Sequence, residues 1–250
     1  MKSGREQYDT YLLSARERII YLLLFESGIL LVGQCFYDSW IAGLLLSPSV
    51  IILMKHWKGY LAQKRKHRLK LEFKDALQSV AAAQKAAFSV ENSFLEARKD
   101  MEMLHGKNSL ICKELEWICH GIKNNIPLEE SLMDLGVRSG CEEIRQFGEV
   151  FLISKRRGGN LTDLIRLCAD VIEGKEETEL EISVLIQAKK TEAAIMCAVP
   201  FLIICYLNAV SPGFFDSLYH NPVGIVIMTG CLGVYVSAIC LAIKITNIRV

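Results

Sequence analysis

The apolar positions of this chain gather near its two ends and leave a long charged middle between them. From Ile19 to Met54 only Glu26 and Asp38 carry charge; from Ala193 to Ile243 Asp216 is the only carboxylate and there is no Lys or Arg. One helix over Ile19–Met54 would extend roughly 54 Å at ~1.5 Å per residue, well beyond a hydrocarbon core of about 30 Å. The run therefore reads as two short spans, 19–37 and 40–57, broken at Asp38-Ser39. Ser211-Pro212-Gly213 and Asn221-Pro222 split the second run into spans 193–210 and 223–243. A second apolar run follows the first at once with no small-x-small site between them, so a membrane hairpin is expected rather than a cleaved leader.

Lys and Arg placement orients the spans. Lys2, Arg5, Arg16 and Arg18 precede the first, and seven cations from Lys55 to Lys70 follow the second. Lys189 and Lys190 precede the third, and Lys244 and Arg249 follow the fourth, while neither hairpin tip carries a cation. Residues 1–18, 58–192 and 244–250 are thus expected on the cytoplasmic side. Trp40, Trp57, Tyr206 and Tyr219 fall where interfacial aromatics belong.

The middle, 58–192, contains a single proline and no period-two run. Leu71, Phe73, Leu77 and Val80, leading into Ala-rich sequence up to Phe88, predict a first helix continuous with the second span. Ser89 is placed to cap the next helix, with Glu91 in its first turn, and Asn108 or Ser109 opens another. Pro127 suits a first helical turn, where its missing N–H costs nothing, and Glu129 and Glu130 follow it. Ser139 and Glu142 have capping-box spacing ahead of Ile144, Phe147 and Phe151. Leu161, Leu164, Ile165, Cys168 and Ile172 form an apolar stripe on a helix expected to continue into the third span. The fold expected is all-α: four transmembrane helices, two N-terminal and two C-terminal, flanking a cytoplasmic bundle of about six helices.

Composition narrows the function. Across 250 residues the net charge is +1, which gives no sign of nucleic-acid binding. The nine cysteines are scattered without a C-x-x-C, so no disulfide framework or zinc motif is implied; the spacing of Cys112 and Cys119, with His120 beside the second, allows a shared helix face, with small buried thiols rather than a metal site the preferred reading. No catalytic, cofactor-binding or metal-binding residues are assigned: the five His residues lack paired-ligand spacing, and neither G-x-S-x-G nor G-x-x-x-x-G-K-[ST] occurs. Gly158-Gly159 after Arg156-Arg157 reads as an interhelix turn with Asn160 as the next cap, its arginines free to dock a partner. The basic run Lys64–Lys70 and the acidic run Glu173–Glu181 are expected either to pair or, for the basic run, to meet anionic lipid heads.

In the membrane, Glu26 lies near the centre of the first span, where a charge costs ~2.5–3.5 kcal/mol, and Asn208, Gln34 or Thr229 are expected to satisfy it. Pro200 frees the Met196 carbonyl and should kink the third span. Thr229, Gly233 and Ser237 form a small-residue stripe expected to pack within the subunit, an interface between subunits being the other reading.

Asn125-Ile126-Pro127-Leu128-Glu129-Glu130-Ser131-Leu132, Lys155-Arg156-Arg157-Gly158-Gly159-Asn160-Leu161, Ala198-Val199-Pro200 and Ser211-Pro212-Gly213-Phe214-Phe215, in that order and spacing, carry a resemblance. The chain resembles the type II secretion system F family, specifically the short Tad/Flp pilus platform subunits, from about Leu69 to the C-terminus. Asn124-Asn125 stands where that family has a glycine, and Ser131 where alanine is common. The resemblance implies a non-enzymatic inner-membrane platform without a cofactor. Its partners would be a cytoplasmic secretion ATPase, pilin or pseudopilin subunits, a second platform subunit or another copy of itself, and membrane lipids. The competing reading is a small polytopic transporter or channel subunit with a cytoplasmic regulatory domain.

Overall fold

The spacing of buried side chains explains the helices that form. In the computed structural model, which describes residues 15–37, 49–211, 213 and 221–246, eight helices occur among the described residues and no strand. They are α1 (Ala15–Tyr37), α2 (Ser49–Lys85), α3 (Val90–His105), α4 (Leu110–Lys123), α5 (Leu128–Ser139), α6 (Glu142–Arg157), α7 (Leu161–Val210) and α8 (Pro222–Thr246). The hairpin tips at Asp38-Ser39 and Pro212–His220, residues 40–48 of the second span, and Lys2, Arg5 and Arg249 fall outside the description, except for Gly213. Among the described residues two helices are long and apolar enough to cross a membrane, α7 and the Val223–Ala242 stretch of α8.

The described residues form two compact units, 57–177 and the remainder, with α2 and α7 each contributing to both. Both expected continuities hold: α2 is one 37-residue helix, and α7 one 50-residue helix that includes Pro200.

In the first unit, α2 presents Leu69, Phe73, Leu77 and Val80 to a core shared with Phe94, Ala97 and Met101 of α3 and Ile111, Leu115 and Ile118 of α4. Leu128, Leu132 and Leu135 of α5, Ile144, Phe147 and Phe151 of α6, and Ile165, Ala169 and Ile172 of α7 complete it. The α2 stripe thus starts at Leu69 rather than at Leu71, which is only half-buried, because the i, i+4, i+8 rhythm through Phe73 and Leu77 selects it. Phe73 meets Phe147 edge-on at 5.4 Å, and each such buried ring contributes about 1.5–3 kcal/mol by transfer from water.

Helix starts follow local chemistry where the backbone permits. Ser89 accepts from the Asn92 amide and Ser109 from the Cys112 amide, both as expected. The capping box at Ser139 and Glu142 does not form. Gly140 takes a left-handed φ of 60° and ends α5, so Ser139 belongs to the helix before the turn, bonding to the Gly136 carbonyl, and Cys141 becomes the N-cap of α6. α5 and α6 then lie so close that a Cβ on Gly136 would stand 2.8 Å from the Arg145 Cα.

The basic and acidic runs meet, but at a restricted place. Lys70 lies 3.3 Å from Glu176 Oε2, a charge contact without hydrogen-bond geometry. His67 also approaches Glu176, and Lys74 and Gln78 approach Glu173 one turn further along α2.

In the second unit, Met228 of α8 is buried among Val32 and Tyr37 of α1, Phe201 and Ile204 of α7, and Leu232 and Tyr235 of α8. The Thr229 hydroxyl donates to the Ile225 carbonyl, so the Tyr37 hydroxyl, 2.9 Å away, is the donor to Thr229. The Tyr235 hydroxyl donates to the Cys197 carbonyl.

Candidate functional site

Three helix ends converge in the bundle. Lys155, near the C-terminus of α6, donates to Glu129 in the first turn of α5 at 2.9 Å and to Glu91 in the first turn of α3 at 3.3 Å. This arrangement is electrostatically coherent: carboxylates belong near helix N-termini and cations near C-termini, where the aligned peptide dipoles favour each. Burial pushes the Glu129 carboxyl up, yet the Lys155 hydrogen bond, its backbone bond and the charges of Lys155 and Arg156 outweigh it and hold it below the usual range. The Glu129 hydrogen bond outweighs burial at Lys155 and raises the ammonium pKa.

The segment leading into this cluster explains an irregularity of the sequence. Asn125 has φ 58°, the left-handed conformation that glycine adopts without cost and that asparagine tolerates better than other side-chain-bearing residues. Pro127 then sits at the N-cap position, one residue ahead of the first helical turn expected for it, and Leu128 is buried as the first residue of α5. Glu129 thereby faces the end of α6.

At that end Gly158 closes α6 with φ 69°, and its N–H bonds to the Ser154 carbonyl. The Asn160 side chain caps α7, accepting from Thr162 and Asp163 amides. Gly158-Gly159 is therefore an interhelix turn, as read from sequence. Arg156 and Arg157 are exposed and make no ion pair among the described residues. The turn thus presents two adjacent guanidinium groups beside a locked ammonium.

The structure joins Pro127, Leu128, Glu129, Arg156, Arg157, Gly158 and Gly159 through Lys155, a residue that sequence reasoning placed in the motif without a role. Other candidates stay apart. Glu26 is half-buried on α1, and Thr229, one partner expected for it, is engaged by Tyr37 and Ile225 instead. A Cβ on Gly233 meets nothing within 4 Å, so the small-residue stripe is not closely packed there within the subunit, contrary to expectation. Cys112 and Cys119 are buried whereas His120 is exposed, and the Cys119 thiol points to the Phe94 carbonyl, so the three do not converge.

A second polar centre was not legible in the sequence. Glu72 of α2 is buried and accepts from the Ile111 amide in the first turn of α4 at 2.9 Å, while Arg68 holds its other oxygen at 2.8 Å. Arg138 grips buried Glu114 with both terminal nitrogens, at 3.0 and 2.7 Å, and donates its Nε to Asp134.

The family model for protein F of the type II secretion system (T2SS) matches residues 65–208, more than half of the chain and the whole stretch that contains these centres. The chain belongs to the type II secretion system protein F family. No curated protein and no solved structure matches it. Membership in the F family fits the all-helical architecture and its two apolar helices, and makes the chain a component of a secretion machinery with other subunits.

Proposed function

We propose that this F-family chain is a platform subunit in the cytoplasmic (inner) membrane for a type II secretion or type IV (Tad/Flp) pilus machine, coupling a cytoplasmic secretion ATPase to the extraction of pilin subunits and growth of the filament. The observation that carries the reading is that the family match runs without a break from the bundle into α7, the helix that is also apolar enough to cross a membrane. A 50-residue helix extends roughly 75 Å at ~1.5 Å per residue, and a helix resists compression along its axis. Work done on the bundle end of α7 reaches its apolar end as a displacement. In this reading all four apolar runs span the bilayer and the bundle is cytoplasmic, as the Lys and Arg placement favours. Arg156 and Arg157 are the docking point for the ATPase, and Pro200 the place where α7 bends.

The test is co-purification of the full-length protein from detergent with its secretion ATPase, comparing wild type with Arg156→Glu/Arg157→Glu. The charge-reversed chain should lose the ATPase and assemble no filament while remaining in the membrane at normal level. Retention of both would remove the docking role, and failure of the wild type to bind any secretion ATPase would remove the platform reading itself.

A further inference from the structure

α4 and α5 approach closely at Gly121, where an added Cβ would stand 3.0 Å from the Ser131 hydroxyl oxygen. Beside this contact the two helices enclose a groove of about 540 Å³, within the ~300–1,000 Å³ of small-molecule sites. Trp117, Ile126 and Val137 give it an apolar lining and are 47%, 40% and 69% exposed. Asn124 and Ser131 line it as well. Both belong to the places where this chain departs from the family pattern, so the amide and the hydroxyl of the groove are its own.

The charge of the groove is negative. Its charged lining groups are Glu130 and Asp134, with no Lys or Arg among them. Glu130 makes no ion pair among the described residues. Asp134 accepts from the Arg138 Nε, but both terminal nitrogens of that guanidinium are bound to Glu114. Two carboxylates therefore share one cation there, and Glu130 adds a second negative charge in excess. Glu130 and Asp134 stand one helical turn apart on α5, ~5.4 Å, and two ammonium groups joined by three or four methylenes have about that separation.

We infer that the groove between α4 and α5 binds an aliphatic diamine or polyamine, with its ammonium groups on Glu130 and Asp134 and its methylene stem against Trp117 and Val137. Each part of such a ligand has a counterpart in the lining. The carboxylates match the two charges, and the apolar side chains cover the stem. An exposed indole does both, since its face attracts an ammonium and shields methylenes from water. The Ser131 hydroxyl and the Asn124 amide supply oxygens that can accept from the remaining ammonium hydrogens. A bare divalent ion would leave the apolar lining unused, and a monoamine would leave one negative charge unmatched. The inference stands independently of the platform reading.

The experiment titrates 1,4-diaminobutane into the full-length chain in a non-ionic detergent and follows binding by calorimetry. It is run at pH 8, because His120 also lines the groove and would oppose a dication when protonated. Wild type should bind one equivalent with a dissociation constant of about 1 mM or tighter. 1-Aminobutane, with the same stem and one charge, should bind about fivefold more weakly, the worth of one partly solvated ion pair. Glu130→Gln should lose about the same factor and should no longer distinguish the two amines. Trp117→Leu, which keeps an apolar side chain, should weaken binding about two- to fivefold. Both changes lie at exposed positions, so circular dichroism should be unchanged. Glu177→Gln, an exposed carboxylate of α7 outside the groove, should leave the affinity as it is. No saturable binding by about 10 mM diamine would overturn the inference. So would equal affinity for the two amines, a Glu130→Gln chain that binds like wild type, or displacement of the diamine by an equal concentration of magnesium, which would mark a plain acidic surface. The Arg156/Arg157 test reads the platform role by ATPase binding and is unaffected by any of these outcomes.

Discussion

Replacing Arg138 by Leu removes the guanidinium that holds Glu114 in a two-point contact at 3.0 and 2.7 Å. The Glu114 side chain is 5% exposed and that of Arg138 16%, so the pair is shielded from solvent on both sides. Burial disfavours a charged Arg138, but hydrogen bonds to Glu114 and Asp134 overcome this and raise its pKa. Removing one member of such a pair leaves a buried charge without its counterpart and costs about 3–5 kcal/mol. The more exposed Asp134 contact, within one helix, adds only about 0.3–0.5 kcal/mol. Arg138→Leu should therefore destabilise the bundle by at least ~3 kcal/mol. Adding Glu114→Leu should restore most of that loss, since replacing a whole buried pair by apolar groups is often neutral. The assay is native-state hydrogen exchange of α4 and α5 amides in the full-length protein in detergent, where ~3 kcal/mol accelerates exchange through global opening roughly a hundredfold or more. A loss below ~1 kcal/mol for the single change, or a double variant no better than the single, would refute the claim that the bridge is effectively buried.

Glu72→Gln keeps an acceptor for the Ile111 amide but loses its charge at the α4 N-terminus, and should cost about 1 kcal/mol; Glu72→Ala should cost about 1.5–3 kcal/mol, the range for a charged hydrogen bond. Exchange at Ile111 should accelerate in that order, and equal protection in all three proteins would exclude a capping role. For Lys155→Met, pH is the informative variable. The lowered Glu129 pKa makes its contribution full above about 4.5 and lost as pH falls through the folded value, while the raised Lys155 pKa makes its contribution full below about 10.5 and lost as pH rises through the folded value. The stability gap between wild type and Lys155→Met, no more than about 1 kcal/mol for these partly exposed pairs, should be flat between those limits and close outside them. A gap that persists at pH 3 would show that the clamp acts by packing rather than by charge.

What the sequence disclosed was the local chemistry. Ser89 and Ser109 are legible as caps because a short hydroxyl and an amide three residues on are enough to make the bond. Ser139 misleads for an equally local reason, the positive φ at Gly140, which moves the helix boundary past it. The stripes of α6 and α7 could be read because period 3.6 survives without tertiary information, whereas on α2 a half-buried Leu71 and a buried Leu69 are indistinguishable by residue type. The candidate site was half legible. Its two motifs were visible, but Lys155 and Glu129 are 26 positions apart and nothing local says that they touch. Glu72 capping α4 through an amide 39 positions later lies wholly beyond local reading. Cys112 and Cys119 are buried as the small-thiol reading expects, and His120 is exposed, because spacing reports which residues share a helix and burial decides which of them point inward.

These distant contacts have a common location that bears on mechanism. Glu72 holds the start of α4, Lys155 holds the starts of α3 and α5, and His105 at the end of α3 bonds Asp75 of α2 at 2.8 Å. Each fixes a helix terminus, the point that moves most when helices slide. A slip of α5 along α6 by one turn, ~5.4 Å, would separate Lys155 from Glu129 and drive the backbone at Gly136 past Arg145, where no Cβ fits. A bundle pinned this way resists internal shear, so on the proposed docking of the ATPase at the Arg156-Arg157 turn a force there would pass to α7, which begins four residues after Arg157, rather than dissipate among the short helices. If the chain is the platform proposed above, that rigidity is a requirement of the role, and loosening any one of the three pins should lower the coupling before it unfolds the protein.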